Sequence, residues 1–169
     1  MLENTRGARD ALLASLRRLG DDELVARLKG LAARERRATA LLVAHLAELD
    51  TRDVYLRAGY SSLFAYCCDV LALSEHEALS RIDAARTARC FPVILDLLAA
   101  AEINLTTVRL LGPHLTADNH VEVLASARGQ RKAGVEEIVK LKLSAEEKKM
   151  LRESAAAVRE VVGVLTTTA

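Results

Sequence analysis

The chain has 169 residues, 51% of them hydrophobic and only 3% aromatic, with eight Gly, two Pro and a formal net charge of +1. That length suits one ordinary domain, or one with an appended segment, and the poverty in aromatics, Pro and Gly points to helix. A charge this close to neutral excludes a global electrostatic pull towards nucleic acid or membrane, so any such affinity has to come from local clusters. No apolar run reaches the roughly 18 residues of a transmembrane helix, and the first six residues lack the basic-then-apolar layout of a signal peptide. The cysteines number three, and Cys67 and Cys68 are adjacent. That pattern suits reduced thiols and predicts a cytoplasmic protein with no membrane partner. Tyr55, Tyr60, Phe64, Tyr66 and Phe91 are all the aromatics there are, so the best-packed core is expected over 55–91.

In chain order, residues 8–19 carry Leu12, Leu13, Leu16 and Leu19 on one side of a short helix that Gly20 ends. Asp21-Asp22-Glu23 starts a long helix over about 22–50. Its apolar positions Leu24, Leu28, Leu31, Ala38, Leu42, Leu46 and Leu49 step by three or four, so Leu31 and Leu42 are expected to be buried. A helix of that length needs a partner surface, in its own fold or in a homodimer formed through 22–50. Gly59-Tyr60-Ser61-Ser62 predicts a turn that caps a helix over 62–72, and Ser74 with Glu77 forms a capping box that starts the next. That helix turns Ala78, Ile82 and Ala85 inward and Arg81, Arg86 and Arg89 outward. Phe91-Pro92 breaks it, and Pro92 suits the first turn of a helix over 93–101. Short helices follow Thr106 and Thr116, the first stopping at Gly112-Pro113 and the second near Gly129.

Residues 1–131 contain 16 Arg and one Lys, whereas 132–169 contain five Lys and two Arg. The shift divides the chain into a helical domain over 1–132 and an extension over 133–169. The extension has its own capping box, Ser144 with Glu147, ahead of a helix bearing Leu151, Ala155, Val158 and Val162. The expected fold is therefore all-α, a single multi-helix domain with a long N-terminal helix and an appended C-terminal helix.

The centre of the chain carries the most information about function. Two short helices joined by a tight Leu-Ser turn, the second bearing Arg81, Arg86 and Arg89, have the layout of a helix-turn-helix whose second helix enters a major groove. An ordinary helical hairpin with a solvated basic side has the same pattern. Further basic clusters, Arg34, Arg36 and Arg37 and then Arg128, Arg131 and Lys132, are able to hold phosphates or simply to solvate the surface. His45, His76, His114 and His120 lack zinc-site spacing, and the cysteines add no ligands at a known spacing. Cys67 and Cys68 have no nearby activator. There is no Gly-rich phosphate loop and no Ser elbow, so neither a metal, a cofactor nor a small-molecule ligand is expected.

These residues also carry a resemblance. From about Asp22 to Lys132 the chain resembles the helical N-terminal region of bacterial HNH-endonuclease-domain proteins. The matching phrases include Ala33-Arg-Glu-Arg-Arg-Ala-Thr-Ala40, Val54-Tyr-Leu-Arg-Ala-Gly-Tyr-Ser-Ser-Leu-Phe-Ala-Tyr66, Leu73-Ser-Glu-His-Glu-Ala78, Phe91-Pro-Val-Ile94 and Pro113-His-Leu-Thr116 with Asn119-His120. In that family the helical region precedes an HNH module whose His and Asn hold a metal and activate water. No stretch here matches that module, and no His follows position 120, so the nuclease chemistry is carried over to no residue. The resemblance implies the helical part alone, with a role in DNA engagement or assembly. The stretch over 134–163 is similar to the C-terminal strand and helix of malate dehydrogenases, but no dinucleotide loop accompanies it. Residues 135–143 are expected to be helical, because there is no sheet for a strand to join.

The sequence thus predicts a non-catalytic DNA-binding or DNA-associated module. Its candidate contacts to double-stranded DNA are Arg81, Arg86, Arg89, Arg34, Arg37, Arg128, Arg131 and Lys132. The alternative is a helical interaction or dimerisation module without nucleic acid, and a nuclease with residual activity is a further one.

Overall fold

The structure, a computed structural model, describes residues 2–141. Among the described residues every regular element is helical and no strand occurs. The order is α1 (Leu2–Leu16), α2 (Asp21–Thr51), α3 (Val54–Arg57), α4 (Leu63–Asp69), α5 (Glu75–Cys90), α6 (Val93–Ala99) and α7 (Leu105–Leu111). A 3-10 turn (Gly112–His114) and α8 (His120–Ala127) follow. A last helix, α9, covers 132–141. The capping box at Ser144 and the helix after it lie outside the described residues.

The architecture is a bundle built around α5. Its start is set by Ser74, whose hydroxyl accepts from the Glu77 backbone N–H while the Glu77 carboxylate accepts from the Ser74 backbone N–H. That fixed start sets the phase of the helix. Ala78, Ser80, Ile82, Ala84, Ala85 and Ala88 are all buried, more than half of the helix circumference. Alanines on so many sides let neighbouring helices approach closely, and α2, α4, α6 and α7 all pack against α5. Ser62 caps α4 through Ala65, and Asn104 caps α7 through Thr107.

The core is aliphatic rather than aromatic. Its largest fully buried side chains are Leu46, Ile94, Leu111, Val43, Val108, Val123, Val135 and Cys67. The five aromatics are all only half-buried, and Tyr60 and Tyr66 meet edge to face at 5.4 Å. The expectation of a core centred on 55–91 therefore fails, because Val108, Leu111, Val123 and Val135 contribute as much as the aromatic stretch. Val135, on α9, joins the same core, with Ile138 and Val139 packed against it.

The long helix α2 has two different halves. From Ala40 onward it packs on α5 and α6 and buries Ala40, Val43 and Leu46. From Asp21 to Leu31 every residue is exposed. The expected burial holds in part for Leu42, which is half-buried against the core, and fails for Leu31, which is 59% exposed. The reason is position along the helix rather than phase: Leu28 and Leu46 are five full turns apart and share one face, yet Leu28 is 64% exposed and Leu46 1%, because none of the described residues covers α2 before Ala32.

Candidate functional surfaces

The predicted basic residues divide into two groups at opposite ends of α5. At its C-terminal end, Arg86 donates from Nε to Asp50 Oδ2 at 3.0 Å and from a terminal nitrogen to Asp50 Oδ1 at 3.3 Å. Arg89 lies 3.9 Å from the same carboxylate and 3.5 Å from the Thr51 hydroxyl. Both arginines are exposed, Arg86 by its phase and Arg89, which shares the stripe of Ala78, Ile82 and Ala85, because it sits in the last turn of α5; yet both reach the end of α2. The Asp50 hydrogen bond holds the Arg86 guanidinium above its usual pKa. The strip that α5 leaves to solvent between its ends also carries Leu79 and Asp83, so it is mixed rather than basic.

Arg81 departs from expectation. The sequence pattern turns it outward with Arg86 and Arg89, but its side chain is only 17% exposed. One turn of helix separates it from Glu77, whose backbone carbonyl accepts from it at 3.3 Å and whose carboxylate lies 3.6 Å away. Position 81 falls between Ser80 and Ile82, both buried, so the arginine stem has to run along the core before its head emerges. Its Nε is buried and has no hydrogen-bond partner among the described residues.

The second group gathers around the turn between α8 and α9. Gly129 holds a positive φ of 67°, and its N–H donates to the Glu102 carbonyl at 2.8 Å, which ties the turn to the loop between α6 and α7. Arg128 lies 2.9 Å from Glu102, an ion pair without the alignment of a hydrogen bond. Lys132 is 3.7 Å from Glu136, and Arg131 is exposed with no ion-pair partner among the described residues. A cleft of about 370 Å³ separates this turn from α2, with Arg36 and Glu35 on one wall and Gly129 and Gln130 on the other. Arg34 and Arg37 are exposed on α2 close by in sequence.

Cys67 and His120 serve packing. Cys67 is buried, and desolvation pushes its thiol pKa up, away from nucleophilic use; Cys68 is half-buried and Cys90 exposed. His120 stacks on Phe91 with ring centroids 4.9 Å apart, and its Nδ1 sits within hydrogen-bonding distance of the Thr116 and Ala117 carbonyls. No group of three or more His, Cys, Asp or Glu among the described residues is placed to hold a metal ion. None of the described helices is long and apolar enough to cross a membrane.

The most conspicuous surface feature is apolar. Seven of the fifteen large apolar side chains exposed among the described residues fall between Leu12 and Leu31: Leu12, Leu13, Leu16, Leu24, Val25, Leu28 and Leu31. Among the residues from Arg6 on whose burial is described, none of α1 or of the first half of α2 is buried to balance them. Sequence periodicity finds these leucines and leaves their partner open, in the same fold or in a second copy; only the burial expected of Leu31 fails within the fold. Set against known proteins, the chain matches no family model, no curated protein and no solved structure.

Proposed function

We propose that this chain is a non-catalytic helical assembly module that pairs with a second copy of itself through α1 and the first half of α2. The observation that carries the reading is the leucine stripe on a helix that leaves the body of the fold. An isolated helical segment is marginal in water unless an apolar face is packed. Leu24, Leu28 and Leu31 repeat at four and three, the spacing of a two-helix seam. The stretch from Leu12 to Leu31 is on the scale of the roughly 20–30 residues a side that specific interfaces use.

A second copy is the occupant that the charges favour. The seam continues into Glu35, one heptad after Leu28. A parallel pair sets Glu35 against Glu35. An antiparallel pair centred between Leu28 and Leu31 sets it level with Leu24 of the second copy and within a turn of Arg27. That arrangement is two-fold and closed, the commonest symmetry for a self-complementary patch. The resemblance to the helical region of HNH-endonuclease-domain proteins supports the same reading, since assembly is one of the two roles it implies.

Sedimentation equilibrium tests the proposal. The wild type is expected to dimerise in the micromolar range, and Leu28→Asp with Leu31→Asp to be monomeric with unchanged helicity. A wild type that stays monomeric at several hundred micromolar refutes it.

A second reading, DNA association, draws support from Arg36 and the Gly129–Gln130 turn lining one cleft, with Arg34, Arg37, Arg128 and Arg131 near its rims in sequence. Phosphate contacts give a steep salt dependence. Duplex binding that weakens sharply between low and physiological salt, and further on changing Arg128 and Arg131 to Ala, is the outcome this reading requires.

A further inference from the structure

We propose that a groove between α5, α7 and the start of α9 binds a phosphate group, that of a small phosphomonoester. The inference goes beyond the assembly reading and uses none of its residues. Two adjoining clefts of about 560 Å³ and 300 Å³ share His76, Ser80, Thr106 and Lys132 on their walls. Sites for small molecules are typically about 300–1,000 Å³. The larger cleft adds Arg81, the smaller adds Arg109, and Glu77 is the one acid on either wall. In a chain whose net charge is +1, three permanent cations and a histidine on one groove are a local concentration.

Arg81 is the residue that points to a ligand. Its stem is held by packing and one terminal nitrogen donates to the Glu77 carbonyl, which orients the guanidinium before anything binds. Its Nε is a buried donor without an acceptor among the described residues. Native structures nearly always satisfy such a donor. Nε has no accessible surface, so an anion in the cleft that Arg81 lines has to meet the terminal nitrogens of the guanidinium. Lys132 is free to turn towards the same anion, because its pair with Glu136 is long, at 3.7 Å, and 68% exposed on the lysine side. Ser80 and Thr106 add hydroxyl donors. A guanidinium, an ammonium and hydroxyls on different walls suit a tetrahedral anion with several acceptor oxygens better than a planar carboxylate.

The test uses the full chain in chloride buffer at constant ionic strength, titrated with inorganic phosphate and with phenyl phosphate. Binding is read from the His76 imidazole resonances. Saturable shifts with both probes, and none with acetate, are expected. Lys132→Ala and Arg109→Ala, at exposed positions where folding is not at stake, should each weaken binding at least fivefold. Arg81→Gln should weaken it further if the variant keeps its helicity. The proposal is overturned by the absence of a saturable shift, or by Lys132→Ala and Arg109→Ala variants that bind as the wild type does. It is equally overturned if a DNA duplex shifts His76 while both small probes do not, since the groove would then serve a nucleic-acid backbone.

Discussion

Arg86 grips Asp50 through two hydrogen bonds across 36 residues of sequence, joining the C-terminal part of α5 to the end of α2. Asp50 is the buried partner, with only 9% of its side chain exposed, and it receives Arg89 as well. The arginines that sequence patterning offers to DNA are thus a clasp within the fold. Replacing Asp50 with Ala should lower unfolding stability by about 1–2 kcal/mol, the range for charge-assisted hydrogen bonds when one partner is half in water. Arg86→Ala should cost a similar amount, and the two losses should not add in the double variant, because each removes the same pair. Chemical denaturation of the four proteins measures the coupling. Fully additive losses would show that the clasp contributes nothing.

Leu46 and Leu31 share one helix and one residue type but not one environment. Leu46 is 1% exposed, within the core, and Leu31 is 59% exposed. Leu46→Ala should destabilise the monomer by about 2–5 kcal/mol through lost burial and the cavity left behind. Leu31→Ala should leave the melting temperature of the dilute protein unchanged and reduce it only at concentrations where copies associate. Equal effects at low concentration would place Leu31 against the body of the fold.

The sequence made the helices legible where local chemistry decides them. Asp21-Asp22-Glu23, the Ser74–Glu77 box and Pro92 each mark a start that the structure reproduces to within a residue or two. Ala78, Ile82 and Ala85 face the core as their phase requires. Hidden from the sequence was what each face meets. An apolar stripe looks the same whether its partner is the same chain or another, which is why the burial expected of Leu31 does not appear within the fold. Arg81 lies inside the buried sector of α5, between Ala85 and Ala88 on the helix, but its charge reads as a surface residue because only the packed fold shows its stem lying along the core. The phosphate groove was beyond reach, since His76, Thr106, Arg109 and Lys132 become neighbours only when α5, α7 and α9 are packed.

The capping box makes a pH-dependent prediction. Hydrogen bonds from the Ser74 side chain and backbone hold the Glu77 carboxyl below its ordinary value of 4.5. A carboxyl depressed by folding stabilises the native state above its unfolded pKa, and that stabilisation is lost as pH falls through the folded value. Ser74→Ala removes the cap, at about 1 kcal/mol near neutral pH. The gap between wild type and variant should therefore be widest above about pH 4.5 and narrow as the solution is made more acidic. Denaturation midpoints for both proteins across that range measure it, and a gap that widens on acidification contradicts the assignment.

Gly112 is the contact on which α5 and the end of α7 close. A Cβ added there would meet Thr87 Oγ1 at 2.8 Å and Thr87 Cγ2 at 3.4 Å, distances at which something has to shift. Thr87 is poorly placed to give way. It is β-branched, so its χ1 is stiff, and its hydroxyl already donates to the Asp83 carbonyl at 2.7 Å. The backbone of Gly112 is ordinary right-handed helix, with φ −46°, so glycine is not required there for its conformational freedom. By helix propensity alone an alanine should stabilise the site by up to about 1 kcal/mol. The clash reverses that sign: Gly112→Ala should destabilise by about 1–3 kcal/mol, as overpacking does. Removing the obstruction should restore the propensity gain. Gly112→Ala combined with Thr87→Ala is therefore expected to be more stable than Gly112→Ala alone, although Thr87→Ala by itself removes a hydroxyl and a methyl from a half-buried site. Thermal denaturation of the three variants decides it, and a double variant less stable than Gly112→Ala alone would mean that Thr87 is not what crowds this position.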